Sequence, residues 1–265
     1  MGAQLRLILA ALAIGVAACA GLSGTVDPKV KESLAPTGKL RLAFISPAFV
    51  YSVKDPATGE FKGIAPDIGK DVAQRIGAPL ELVTYGSPPT MVEAGKANQW
   101  DIVMMGISAE RAIVIDFSSP FIIAQSGYLV RKDFPAATMA DVDRPGVRIG
   151  VFAKSSADNQ LTGLIKQATL VRAPSISELY TMLGSGKADV IAAAKTGLYS
   201  EAAKYPGSRV LDGSFLDEPI AMGVPKGRDA LALAFVNRYV EQAKADGRIQ
   251  AAVDRAGLRG VVVPR

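Results

Sequence analysis

Three observations predict an α/β fold built on parallel sheets. Short apolar runs alternate with amphipathic stretches from residue 39 to the end of the chain. Strands that alternate with helices pair in parallel, and the helices cover both faces of the sheet. Two stretches also repeat one pattern. Met91-Val-Glu-Ala-Gly-Lys-Ala-Asn-Gln-Trp-Asp-Ile-Val and Met182-Leu-Gly-Ser-Gly-Lys-Ala-Asp-Val-Ile each run helix, Gly-Lys, Asp, strand. Helix–Gly–strand junctions are common, but a repeat on top of the alternation indicates two lobes of like topology. A hydrophobic content of 49% is enough for real cores, in one large domain or two modest ones.

The elements follow in order. Residues 20–38, rich in Gly, Ser, Pro and Lys, read as a tether. Strands are predicted at 39–45, 80–84, 101–105, 147–152, 168–172, 189–193 and 219–224. Helices are predicted near 66–76, 88–96, 156–167, 176–185, 195–204, 228–245 and 247–256. Gly95 and Gly186 end helices, and Asp101 and Asp189 open the strands that follow. Ser175 and Glu178 fit a capping box opening the helix at 176. Leu233, Val236, Val240 and Ala243 fall on one helical stripe. Gly184-Ser185-Gly186-Lys187 has the composition of a phosphate loop, but it follows a helix and precedes a strand, the reverse of the required order.

The N-terminus reads as an export signal over residues 1–19. An apolar run from Leu5 to Ala18 holds one charge, Arg6, and is too short to span a bilayer as a helix. Val16-Ala17-Ala18-Cys19 has the form of a lipobox, in which Cys19 is lipid-modified and becomes the mature N-terminus. The other reading is ordinary cleavage around Ala18-Cys19-Ala20, which leaves no cysteine. Both place the protein in the periplasm or another extracytoplasmic space, and a lipid on Cys19 is its membrane link.

Composition excludes several classes. The chain has no His, and its one cysteine is Cys19, so a metal site of the zinc type and hydrolysis by Cys/His or Ser/His pairs are ruled out. No cofactor is expected. The net charge of +5 is spread along the chain and aromatics make up 6%, which does not suit a nucleic-acid platform.

Residues 101–121 carry the chemistry: Asp-Ile-Val-Met-Met-Gly-Ile-Ser-Ala-Glu-Arg-Ala-Ile-Val-Ile-Asp-Phe-Ser-Ser-Pro-Phe. They read as a buried strand, a turn through Gly106 and Ser108, and a helical turn bearing Arg111. Small residues leave backbone N–H groups open, and a guanidinium binds both oxygens of a carboxylate side by side. Arg111 alone would read as a surface residue; the whole string reads as a carboxylate receptor.

This string resembles the strongest motif of the family 3, amino-acid-type extracellular solute-binding proteins, D-I-x-x-x-G-x-T/S-x-x-x-R-x-x-x-x-D-F-S-x-P-Y. The resemblance runs from Lys39 to about Gly257 and includes Lys39-Leu-Arg-Leu-Ala-Phe with Pro47-Ala48-Phe49, then Gly59 with Gly63-Ile-Ala-Pro-Asp67-Ile. It continues through Val147-Arg-Ile-Gly-Val-Phe with Ser155-Ser156, Lys187-Ala-Asp-Val, and Gly223-Val-Pro-Lys-Gly. It implies a two-lobed periplasmic-binding-protein-like fold of type II, with two strands crossing near 126–132 and 218–224. Lobe 1 would hold 39–128 plus 222–265, and lobe 2 would hold 132–218. It also implies a monomer that binds a small carboxylate, an amino acid or organic acid, and docks on the permease of an ABC transporter.

On that map Gly106, Ser108 and Arg111 sit on the lip of lobe 1. Ser155 and Ser156 open a helix on the lip of lobe 2, where they cap the helix, present it to an anion, or both. Phe49 and Tyr51 offer an aromatic wall, or belong to the core or rim. The pattern departs at one point. The family's lobe 2 Asp, which pairs with a ligand's α-ammonium, falls at Ala194, followed by Lys195. With Arg111 and Lys195 both in the site, the ligand would lack an α-ammonium or carry more negative charge than an ordinary amino acid. Alternatively Lys195 faces solvent, and Glu178 or Asp158 meets the ammonium. Cyclohexadienyl dehydratases share the fold and need a protonated carboxyl as general acid; Ile191 to Thr196 offers none. A ligand sensor acting on a signalling partner would use the same cleft.

Overall fold

The computed structural model describes residues 26–265, so the leader, Cys19 and the first part of the tether lie outside the described residues. The elements run α1 (Pro28–Leu34), β1 (Leu40–Ile45), β2 (Val53–Lys54), β3 (Phe61–Lys62), α2 (Ile64–Ile76), β4 (Leu80–Tyr85), α3 (Pro88–Lys96) and β5 (Ile102–Gly106). A 3-10 turn at Arg111–Ile113 leads into β6 (Ile115–Val130), and a second at Met139–Val142 precedes β7 (Arg148–Phe152). Then follow α4 (Ser156–Leu164), β8 (Thr169–Ala173), α5 (Ile176–Gly184), β9 (Val190–Ala194), α6 (Lys195–Ala202) and β10 (Arg209–Val210). The chain closes with β11 (Leu216–Pro225), α7 (Ala230–Ala245), α8 (Arg248–Arg255) and β12 (Val261–Val262).

One sheet runs through both lobes in the order β4-β1-β5-β11-β6-β9-β7-β8. Strands β4, β1 and β5 pair in parallel in lobe 1, and β8, β7 and β9 do so in lobe 2. The two crossing strands join them. Strand β6 pairs antiparallel with β11 through Ile115–Ser126 and with β9 through Ser126–Val130. Ser126 thus faces Leu216 on one side and Ala194 on the other, which makes it the residue where one lobe's sheet becomes the other's. Pro120 is tolerated inside β6 because the ladder breaks there, with register shifts in β11 around Ala221. The Ser118 hydroxyl accepts the Met222 N–H at 3.2 Å, replacing a ladder bond.

Burial follows the pleat. Tyr128 and Val130 of β6 pack with Ile149, Val151, Val190 and Ala192 on one face of the lobe 2 sheet. Leu129, Ile191 and Phe152 pack against Leu179 and Leu183 of α5 on the other. Central β5 is buried along its whole length, as a strand covered on both faces must be.

The repeated segments have the same structural role. Asp101 ahead of β5 accepts from Arg41 through the backbone N–H at 3.0 Å and the guanidinium at 2.9 and 2.8 Å. Asp189 ahead of β9 accepts the same three bonds from Arg148, at 3.1, 3.0 and 3.0 Å. In each lobe, then, an aspartate ties the start of one parallel strand to an arginine on its neighbour.

Some elements differ from expectation. Residues 28–34, expected in the tether, form α1, which Asp27 caps and whose Val30 and Leu34 are buried against lobe 1. The strand at 115–130 is much longer than the crossing expected near 126–132, because its Ser- and Pro-rich first half lacks an alternating pattern. In α7, Ala232, Val236, Val240 and Ala243 carry the stripe; Leu233 is only half-buried. Ser175 caps α5 by accepting the Glu178 N–H at 3.1 Å. No helix among the described residues is long and apolar enough to cross a membrane.

Candidate functional site

A cleft opens between the lobes where β5, β6, β9 and β11 come together. It holds a cavity of about 130 Å³. Lobe 1 supplies Phe49, Tyr51, Gly106 and Arg111; lobe 2 supplies Ser155, Ser156, Tyr180, Ala194 and Thr196; β11 supplies Glu218 and Ile220.

Arg111 is placed by the turn after β5. The Ser108 hydroxyl accepts the Arg111 backbone N–H at 3.2 Å, and the Arg111 Nη1 donates to the Gly106 carbonyl at 2.7 Å. The side chain is therefore fixed although only 9% of the residue is exposed. Its Nε and Nη2 have no protein acceptor among the described residues, so one edge of the guanidinium is free for a bidentate carboxylate. Ser108 contributes by shaping this turn; it lines the groove next to the cavity rather than the cavity itself.

Glu218 is the site residue the sequence did not reveal. Its Oε1 lies 3.5 Å from the Arg111 Nη1, and the Ser156 hydroxyl hydrogen-bonds the same oxygen. Gly106 makes room for it: a Cβ there would collide with the Glu218 carboxylate. Glu218 sits in Phe-Leu-Asp-Glu-Pro, which reads as a loop; only its position at a crossing hinted at the cleft. A carboxylate therefore enters the cavity from β11, at a position other than Ala194.

The serines divide the work. Ser155 caps α4, accepting the Asp158 N–H at 3.2 Å and donating to the Phe152 carbonyl at 2.7 Å. Ser156 is the one that reaches across to Glu218. Phe49 meets Tyr180 of α5 across the cleft, with ring centroids 6.5 Å apart in an edge-on arrangement. Burial, reinforced by the Glu218 carboxylate, pushes the Tyr51 phenol above its ordinary range, against the opposing pull of Arg111. Burial does the same to the Tyr180 phenol, so both rings present neutral hydroxyls. Thr196 lines the cleft, 6% exposed, and its hydroxyl has no hydrogen-bond partner among the described residues.

Lys195 is a correction. It does not line the cleft: its stem packs against Gly127 and Gly260 behind the crossing strands, because α6 starts with that face turned away. The cavity therefore lacks the second cation that a more acidic ligand would need. Neither alternative carboxylate reaches it either. Asp158 is bound by Arg172 at 2.9 Å and by the Lys154 N–H, and Glu178 stays at the exposed cap of α5. Among the described residues no cluster of His, Cys, Asp or Glu could hold a metal.

Comparison with known proteins bears on the fold and the family. The ABC transporter glutamine-binding protein GlnH of Bacillus subtilis (strain 168) is 27% identical over 257 residues, 92% of this chain and 93% of that protein. A binding component of an ABC transporter from Wolinella succinogenes DSM 1740, solved with lysine, is 26% identical with a TM-score of 0.74, covering 82% of this chain and 95% of that one. An ancestral amino-acid-binding protein, a precursor of cyclohexadienyl dehydratase, is 25% identical with a TM-score of 0.74, covering 85% and 98%. The Bacillus subtilis and Wolinella succinogenes proteins are named as binding proteins of transport systems, not as enzymes. The model of the bacterial extracellular solute-binding proteins, family 3, matches residues 40–257, and this chain belongs to that family.

Proposed function

We propose that this protein is an extracytoplasmic receptor that captures an amino acid or related small carboxylate between its lobes and delivers it to the permease of an ABC transporter. The observation that carries the reading is Arg111: buried, fixed by Gly106 and Ser108, lining the cavity, and with no acceptor at Nε or Nη2 among the described residues. The lobes divide at 39–128 plus 222–265 and 132–218, with Ser126 at the pivot. A ligand held by Arg111 on one lobe completes its contacts only when Ser156, Tyr180 and Thr196 of the other close over it. Binding therefore shifts an open–closed equilibrium, and the closed form is what the permease recognises. The protein works as a monomer, either tethered through a lipid on Cys19 or released after its leader is removed.

Thermal unfolding of the exported protein against the L-amino acids and a set of small organic acids tests this reading. A ligand at 100 times its Kd stabilises by about 2.7 kcal/mol, a shift of several degrees for a protein of this size. A carboxylate ligand that raises the midpoint in this way supports it. A midpoint unmoved by every carboxylate, with a rise for an uncharged sugar, refutes it.

A further inference from the structure

We infer that Glu218 is the α-ammonium partner of this cleft and that the ligand is an α-amino acid with an uncharged side chain; this rests on the reading of Arg111 above. The first observation is a charge count. Among the described residues that line the cavity, Arg111 is the one cation and Glu218 the one anion; Glu93, Glu110 and Lys154 line only the adjoining groove. A buried charge without a partner is costly, so a closed site favours a guest whose charges match its own. One of each sign matches a zwitterion. A cationic side chain would lack an anion, because Glu218 is already taken by the ammonium. An acidic side chain would lack a cation, because Lys195 does not line the cavity.

The second observation is geometry. The Arg111 Nη1 and Glu218 Oε1 lie 3.5 Å apart, side by side rather than in a tight hydrogen bond. In an α-amino acid the ammonium and the carboxylate are likewise neighbours, both attached to one carbon. The guest can lie alongside with its carboxylate on Arg111 and its ammonium on Glu218, each opposite charge facing its partner. Ser156 of α4 holds the Glu218 carboxylate, which stands on the crossing strand β11. The third observation concerns the rest of the guest. Phe49, Phe152, Leu179 and Ile220 make an apolar wall, while Thr196 offers a buried hydroxyl with no partner. That environment accepts a neutral side chain, apolar or ending in an uncharged polar group.

The test is calorimetric titration of the wild-type protein with each of the twenty L-amino acids. The tightest binder is then compared with its des-amino analogue, the same acid with hydrogen in place of the α-ammonium. The expected result is a tightest binder with an uncharged side chain, and a loss of about 10- to 100-fold on removing the ammonium. Glu218→Gln, with its fold checked by circular dichroism, is expected to weaken the amino acid by a similar factor and to leave the des-amino analogue unchanged or tighter. A tightest binder that is cationic or acidic overturns the inference, as does an analogue that binds as well as the amino acid, or no binding by any of the twenty. Should the analogue bind as well but need Arg111, the inference falls while the carboxylate receptor stands. Should Arg111→Met bind everything as the wild type does, the receptor reading itself fails.

Discussion

Gly106 leaves no room for a side chain beside Glu218. A Cβ there would overlap the Glu218 carboxylate, yet the clash is with the far end of a side chain that can swing away. Gly106→Ala is therefore expected to cost about 1 kcal/mol of stability at most while weakening ligand binding about tenfold, because Glu218 is displaced from Arg111 and Ser156. Chemical denaturation and calorimetry on the same preparation separate the two effects; a large stability loss with normal affinity would contradict this. Arg111, Gly106 and the serine pair were legible in the sequence because a turn of small residues before an arginine has a local meaning. Glu218 was not, since its role arises only when a crossing strand passes beside a turn far away in the chain. Lys195 failed for the opposite reason: a lysine at a helix start next to the expected site suggested a role, and only packing against Gly127 and Gly260 shows it turned away.

At the scale of elements, the two Asp–Arg ties hold equivalent strands but differ in strength. The Asp101 side chain is fully buried and binds Arg41 and also Arg228, at 2.9 Å, with both arginines largely buried. Asp101→Ala leaves these cations uncompensated, so a loss of about 3–5 kcal/mol is expected in denaturant unfolding. The Asp189 partners Arg148 and Arg131 are half exposed, and Asp189→Ala is expected to cost clearly less. The Arg148 hydrogen bonds hold the Asp189 carboxyl below the usual carboxylate range. A lowered folded value means that its contribution is complete above the unfolded value, about 3.9, and is lost as pH falls through the folded one. The stability gap between wild type and Asp189→Asn should thus be constant from pH 5 to 8 and shrink below about pH 4; a gap that widens in acid would reverse the sign. The longer strands and helices between residues 40 and 255 were readable because apolar runs and serine caps are local signals. The two-residue strands β2, β3 and β10 were too short to read, and Gly95, expected to end α3, lies inside it. The first half of β6 was not readable, because Asp-Phe-Ser-Ser-Pro-Phe is held extended by β11 rather than by any propensity of its own.

For the whole molecule, the lobes touch both inside and outside the cleft. Phe49 meets Tyr180 within it, while Arg259 stacks 3.7 Å from the Tyr199 ring centre and Lys195 packs on Gly260 outside the cavity. Closure therefore draws only partly on the side chains proposed to hold the ligand. Phe49→Ala is expected to leave unfolding nearly unchanged but to shift the ligand-bound population towards the open form, visible as a larger radius of gyration in solution scattering; an unchanged radius would mean that closure does not depend on this ring. Calorimetry on Arg111→Met, using the L-amino acid that most stabilises the wild type, tests the central claim most directly. The guanidinium forms charge-assisted bonds in a buried site, so affinity should fall at least about 100-fold. Wild-type affinity in that variant would contradict the account.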